Sequence, residues 1–358
     1  MDCKEHKRVT IHDLSKASGF STATISRVFS NKGNVKKETR DLILACADEL
    51  GYEYARKKTS SEQLSLAKVM IIVNNISLPY YVSIMQSAID ELESLGCRAM
   101  IFQTGEKSTL EDAFKIIQAD HYAGAIMLTA TDTPELAELL NQNFCPVVLA
   151  NRNIYSVDTT SVCPDEFSGA YMATKFLLDK GHTKIANLAG PICSSNCMEQ
   201  RRGYAKALMD AGLQPEDKAI FSGTLQRSSG IQFAPFFINH LPGYTAVLCA
   251  NEVMAVAFID EMISRGYSIP KDASVICIDD TYMAVSAKVN LTTVSSDCDS
   301  IGRVSARLLV DIINGKEIPN RTVLFPSVLT ERDSVWDLND AKSFQEEENS
   351  PPILDPEE

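Results

Sequence analysis

Val9-Thr10-Ile11-His12-Asp13-Leu14-Ser15-Lys16-Ala17-Ser18-Gly19-Phe20-Ser21-Thr22-Ala23-Thr24-Ile25-Ser26-Arg27-Val28 reads as two short helices joined by a tight turn. Thr10 can cap the first, whose apolar side is Ile11, Leu14 and Ala17, and Gly19 breaks it. Ser21 caps the second, from Thr22 to about Ser30, with Ile25, Val28 and Phe29 making the inward face. Thr22 with Ser26, and Ala23 with Arg27, are i, i+4 pairs on the opposite side. That face offers two hydroxyls, a methyl and one guanidinium, so a major groove about 12 Å wide can admit it. A third helix is expected over about Lys37–Leu50, with Leu42, Ile43, Cys46 and Leu50 inward. A bare three-helix packing module is the alternative. Charge argues against it.

The whole chain is acidic, with 34 Lys+Arg against 47 Asp+Glu and a net charge of −13 over 358 residues. Residues 1–60 nevertheless carry 12 basic and 8 acidic side chains, a net of +4, which leaves −17 for the remainder. A basic module before an acidic body points to nucleic acid for the module alone. The last twenty residues, 339–358, hold seven acids, one Lys and three Pro, and are expected to form a disordered acidic tail. No apolar run reaches the ~20 residues of a membrane span. The charged first residues lack a signal peptide's apolar stretch, so a cytoplasmic protein with no membrane partner is expected. The ten cysteines are scattered without a Cys-x-x-Cys pair and read as small hydrophobes rather than disulfides or metal ligands.

From Lys68 short apolar runs alternate with amphipathic stretches: Val69–Val73, Ala99–Phe102, Gly124–Leu128, Pro146–Leu149, Lys184–Leu188, Ala246–Cys249 and Val275–Ile278. Continuous apolar runs suit strands covered on both faces, as in parallel α/β sheets. Their number suits two subdomains rather than one sheet. Beyond their ends stand Leu78-Pro79-Tyr80-Tyr81, Asn151-Arg152, Asn251-Glu252 and Asp279-Asp280. Polar and aromatic groups at strand ends compose a cleft for a small polar ligand, although each singly reads as a turn or cap. No nucleotide-binding glycine motif and no nucleophile elbow occurs, so neither an enzyme nor a cofactor is expected. His182 follows Gly181 and reads as structural.

The quoted stretch, continued by Val35-Lys36-Lys37-Glu38-Thr39-Arg40 and Glu49-Leu50-Gly51-Tyr52, resembles the DNA-binding head of the lactose-repressor/galactose-repressor (LacI/GalR) family. That resemblance assigns Thr22, Ala23 and Arg27 to base reading. It assigns Ser21, Thr24, Ser26 and Asn31 to phosphates, with Thr10 and Asn34 as further candidates. Lys57 stands where relatives insert a minor-groove Leu, which implies a less kinked, more salt-sensitive complex. Lys180–Ala186, Gly190-Pro191, Arg202-Gly203-Tyr204, Ser274–Ile276, Asp279-Asp280 and Leu291–Val294 extend the resemblance to a periplasmic-binding-protein-like effector domain. It implies Tyr80, Tyr81, Asn151, Asn251 and Asp279 as effector-binding. Gln200 stands in place of a ligand-binding Arg, Leu225 in place of a stacking aromatic and Ser296 in place of Gln.

The expected plan is therefore α/β. It has an all-α helix-turn-helix head (1–54), a linker (55–67) and a two-subdomain body (68–330). The subdomains are 68–163 with 298–325, and 164–296. The expected activity is that of a homodimeric repressor reading a pseudo-palindromic double-stranded DNA site and tuned by a sugar-like effector. The alternative is an intracellular ligand- or partner-binding protein with weak, non-specific DNA affinity.

Overall fold

The computed structural model describes residues 11–30, 35–50, 67–105, 107–128, 134–142, 144–154, 157, 159–240, 243–317 and 321–340. They divide into two units, Met1–Gln63 and Leu64–Glu358. The linker to residue 66, and 341–358 of the expected tail, lie outside the described residues.

In the first unit, α1 (Ile11–Ser18), α2 (Thr22–Ser30) and α3 (Lys37–Leu50) enclose Leu14, Ile25, Ile43 and Ala47, all 0% exposed. Gly19 supplies the turn with φ +74°, a conformation that strains other residues. Two expectations fail by one helical step. Ala17 is exposed, because the buried arc of α1 runs from Leu14 towards Ser18, whose hydroxyl donates to the Leu14 carbonyl. Leu42 is 61% exposed, because Ile43 and Ala47 centre the inward stripe of α3 and leave Leu42 about 100° away.

The second unit holds two six-stranded sheets. The first runs β11-β5-β4-β3-β1-β2 and is parallel throughout. Its strands are β1 (Lys68–Val73), β2 (Arg98–Gln103), β3 (Gly124–Met127), β4 (Val147–Ala150), β5 (Thr160–Pro164) and β11 (Thr322–Phe325). The second runs β12-β10-β9-β8-β6-β7, from β6 (Ile185–Ala189), β7 (Ile220–Ser222), β8 (Ala246–Cys249), β9 (Ser274–Ile278), β10 (Thr292–Ser296) and β12 (Ser327–Thr330). Only β12 is antiparallel, pairing with β10. Six of the seven runs read from sequence become sheet interiors, with β3, β6, β8 and β9 buried at every residue; the seventh, Ala99–Phe102, lies in β2, which closes its sheet at an edge and is exposed or half-buried throughout. Cys249 and Cys277 sit in that core as small apolar side chains, both 0% exposed.

Helices cover the sheets: α4 (Pro79–Ser94), α5 (Leu110–Ala119), α6 (Pro134–Asn141), α7 (Glu166–Asp179), α8 (Ser195–Asp210), α9 (Arg227–His240), α10 (Glu252–Ser264), α11 (Tyr282–Ser286) and α12 (Cys298–Ile313). Glycine sets how closely some approach. A Cβ on Gly302 of α12 would lie 2.3 Å from the Ile84 carbonyl oxygen of α4, and one on Gly203 of α8 would lie 2.2 Å from that of Phe167 in α7.

The chain crosses between the sheets after β5, after β10 and after β11. The crossings bind one another. Asp165 N–H donates to the Phe325 carbonyl at 2.9 Å, Ser296 Oγ donates to the same carbonyl at 3.1 Å, and Ser296 and Ser327 hydroxyls meet at 3.1 Å. Past residue 330 the chain keeps packing on the second sheet: Val275 N–H donates to the Ser334 carbonyl, and Arg332 Nη2 donates to both carboxyl oxygens of Asp280 at 2.9 Å. Asn339 Nδ2 donates to the Asp179 carbonyl, so the first residue of the expected tail is anchored. His182 is 1% exposed between Thr245 Oγ1 and the Trp336 carbonyl, and burial lowers its basicity.

Candidate functional site

Two sites emerge, one in each unit. On α2 the Ser21 hydroxyl accepts from Thr24 N–H at 3.2 Å and meets Thr24 Oγ1 at 2.8 Å, an N-cap that fixes the start of the helix. Burying Ile25 and Val28 turns Ala23, Ser26 and Arg27 outward, all exposed, with Thr22 and Thr24 half-buried at the margin. This surface can supply what groove binding needs: a guanidinium able to fork onto a guanine, a methyl able to meet thymine, and hydroxyls for phosphate oxygens. Thr10, Asn31, Asn34 and Lys57 lie outside the described residues.

In the body, the strand ends of the two sheets meet at a cleft. Its inner chamber, about 60 Å³, is lined by Tyr80, Tyr81, Asn151, Gln200, Leu225, Asn251 and Asp279 of the predicted set. A vestibule of about 490 Å³ lies outside it and shares Leu78, Tyr81, Arg152, Ser194 and Leu225. Tyr80 and Tyr81 stand in the first turn of α4, 8% exposed each, their rings edge to face at 6.4 Å. Asn151 follows β4, Asp279 follows β9, and Leu225 precedes α9; all three have left-handed backbones, with φ 67°, 76° and 64°. Strain of order 1–3 kcal/mol per residue gathers at binding sites because the surrounding fold must hold it in place.

Two predicted residues are used otherwise. Ser296 does not line the chamber; it sits 6% exposed at the crossing after β10, where its hydroxyl bonds the other two crossings. The last residue of a strand that leaves one sheet for the other is held by the hinge rather than turned into the cavity. Asn251 lines the chamber, but its Oδ1 caps α10 at Met254 N–H and its Nδ2 donates to the Leu225 carbonyl. It fastens the strained loop at Leu225.

The chamber also contains groups that sequence reasoning did not assign to it. Glu166, the first residue of α7, accepts from Gln200 Nε2 at 2.8 Å and Asn196 Nδ2 at 3.1 Å. Burial pushes its carboxyl up to about 7, against those two hydrogen bonds. An acid in a first helical turn ordinarily complements the helix dipole, so nothing local marked it as a cleft residue. Asn196 also donates to the Asn151 carbonyl at 2.7 Å, a direct bond across the cleft. Asp279 is held well above the usual carboxylate range by burial and by repulsion from Glu166 and Glu252. Glu252 is raised by burial while Thr281 N–H and Oγ1 hold its two oxygens at 2.7 and 2.6 Å. Arg152 hydrogen-bonds the Tyr81 hydroxyl, opposing the rise that burial gives that phenol. Neutral and ionised carboxyls, amides and phenols are suited to holding hydroxyl or amino groups.

Residues 10–53 match the family described as bacterial regulatory proteins, lacI family, and residues 174–335 match the periplasmic binding protein-like domain. The chain is 25% identical over 328 residues to the HTH-type transcriptional repressor PurR of Mannheimia succiniciproducens, covering 91% of this chain and 98% of that one. It is 26% identical over 329 residues to the HTH-type transcriptional regulator GalR of Escherichia coli, covering 91% and 95%. Among solved structures, a complex of the transcriptional regulator CelR with cellobiose is 25% identical with a TM-score of 0.70, covering 91% of this chain and 100% of that one. The lac repressor dimer bound to operator and an anti-inducer aligns at 23% identity and a TM-score of 0.69, covering 92% and 100%. These relatives are regulators, not enzymes. With a helix-turn-helix head and a periplasmic-binding-protein-like body in one chain, the protein belongs to the lacI family of bacterial regulatory proteins.

Proposed function

We propose that this protein is a cytoplasmic transcriptional repressor that binds a pseudo-palindromic operator as a homodimer and is tuned by a small sugar-like effector in the body's cleft. The observation that carries this reading is the pairing, in one chain, of an open α2 face with a cleft lined by seven of the eight predicted effector residues. Arg27 and Thr22 read bases with Ala23, and the hydroxyls of Ser21, Thr24 and Ser26 hold phosphates. Thr10, Asn31 and Asn34 extend the phosphate contacts, and Lys57 follows the groove's negative potential without wedging a base step.

A carbohydrate-type effector is supported by a cleft of amides, carboxyls and phenols, and by the cellobiose in the CelR complex. Homodimerisation is supported by apolar side chains exposed on two elements: Met100 (51%) and Ile101 (49%) on edge strand β2, and Tyr282 (70%) and Val285 (58%) on α11. Effector and DNA are linked through body conformation, so each alters the other's affinity by one common factor.

Selection of binding sites from random DNA by the purified full-length protein, at fixed salt, tests the reading. Enrichment of a two-fold-symmetric sequence is the expected outcome. Failure to enrich any palindrome, with all binding lost by roughly 200 mM salt, favours a ligand- or partner-binding protein with non-specific DNA affinity.

A further inference from the structure

The inner chamber is unbalanced in both charge and hydrogen-bonding capacity. Three carboxyl groups line it, Glu166, Glu252 and Asp279, each resisting ionisation through burial, against one cation among the described lining residues, Arg152. Glu252 is held by Thr281, and Glu166 by Asn196 and Gln200. No described residue donates to the Asp279 carboxylate, which protrudes from a strained left-handed backbone. Two further acceptors are buried without a partner: Asn151 Oδ1 and Gln200 Oε1, in side chains 4% and 7% exposed. A buried acceptor without a donor loses the hydration it had in water and gains nothing in return, so these atoms mark where a ligand's donors belong.

The missing partners are donors. A sugar hydroxyl gives one hydrogen bond and accepts others, so several hydroxyls would bring surplus lone pairs into a wall that is already accepting. A protonated amine brings three donors if primary or two if secondary and no acceptor, and its charge favours the ionised form of the carboxyl groups around it. Gln200 brings the chamber an amide whose oxygen is left without a donor, and no charge of its own.

We propose that the effector is a small polyhydroxylated amine, an amino or imino sugar bound as its cation, with the nitrogen beside Asp279 and Glu166 and the hydroxyls towards Asn151 and Gln200. This rests on the reading of the cleft as a sugar-like effector site and names the chemical class within it.

Titration calorimetry on the full-length protein at pH 7 tests it with matched probes. D-glucosamine is compared with D-glucose and N-acetyl-D-glucosamine, D-galactosamine and D-mannosamine with their parent hexoses, and 1-deoxynojirimycin with 1,5-anhydroglucitol. In at least one set the amine binds about tenfold or more tightly than its uncharged counterparts. Asp279→Asn, and independently Glu166→Gln, each reduce that preference while thermal melting verifies folding. Equal or tighter binding of the neutral member in every set overturns the amine and leaves the sugar-type effector standing. Binding of no probe overturns both. An amine preference that persists in both variants overturns the location.

Discussion

On α2, Ala23, Ser26 and Arg27 share the open side of one helix turn and a half, whereas the chamber gathers Tyr81, Asn151, Glu166, Gln200 and Asp279 from strand ends and helix starts. The first surface is made by local geometry: burying Ile25 and Val28 decides where Arg27 points. The second exists only once two sheets have formed and three crossings have brought them together. A reading face of the first kind can be altered residue by residue. A chamber of the second kind depends on packing some distance away.

That contrast can be broken or sharpened. Gly302→Ala should have the largest effect, because the new Cβ would meet Ile84 backbone and Ser87 Oγ between α4 and α12. A loss of about 3 kcal/mol is expected from the body's unfolding in denaturant, with the head's helical signal unaffected. Parallel loss in both units would mean that they fold as one.

Arg27→Ala should lower affinity for the selected operator by roughly 1–3 kcal/mol, about 10- to 100-fold, and relax discrimination at a single base pair. Fluorescence anisotropy on operator and single-base variants measures this. Effector affinity without DNA should be unchanged; a change there would remove the independence of the two sites.

Glu166→Gln gives an effect that depends on pH. With its folded value raised to about 7, Glu166 binds its proton more tightly folded than unfolded. Ionisation therefore costs stability, and the wild type loses it as pH rises from about 4.5 to 7. The variant lacks this loss, and easing the repulsion on Asp279 adds in the same direction. Its advantage should be absent near pH 4 and reach about 3 kcal/mol at pH 7.5. Asp165, Asn196 and Gln200 also act on the Glu166 carboxyl and remain in both proteins. His182, lowered by burial, has the opposite slope below its unfolded value of about 6.5 and cancels in the difference. A difference that does not vary with pH would refute the assignment.

Ser21→Ala should have the smallest effect, about 1 kcal/mol of head stability from the lost cap. Ser21→Asp keeps a capping oxygen but places a negative charge near phosphate. If Asp restores helix stability and not operator affinity, Ser21 has a role beyond capping.

Legibility in sequence followed the same division. Ser21, Gly19 and the Ile25–Val28 stripe announce α2 because cap, breaker and period fall within ten residues. The runs that became β1, β3, β8 and β9 are readable because both faces are buried. Strands β5 and β10 escape that test. Thr160-Ser161-Val162-Cys163-Pro164 and Thr292-Thr293-Val294-Ser295-Ser296 are rich in hydroxyls, and several of these bond neighbouring strands and crossings. Edge strands β7, β11 and β12 are too short and partly exposed to give an apolar run. Within the cleft, the position of Asp279 at a strand end was visible, but the turn of Glu166 towards Gln200 and Asn196 depends on contacts remote in sequence. The use of Ser296 by the hinge and of Asn251 by the Leu225 loop is likewise a product of tertiary contact.

The three crossings have a mechanical consequence. Two rigid bodies joined at a single point can tilt, twist and roll, but tethers at Asp165, Ser296 and Phe325, bonded to one another, leave rotation about a single axis as the soft motion. On the function proposed above, an effector would act through one coordinate, the angle between the subdomains. The bond from Asn196 to the Asn151 carbonyl joins the two subdomains on the cleft side of those tethers. A ligand reaching between Asp279 and Asn151 would set that angle by its length, and a series of effectors of increasing size is then expected to give graded responses instead of two states.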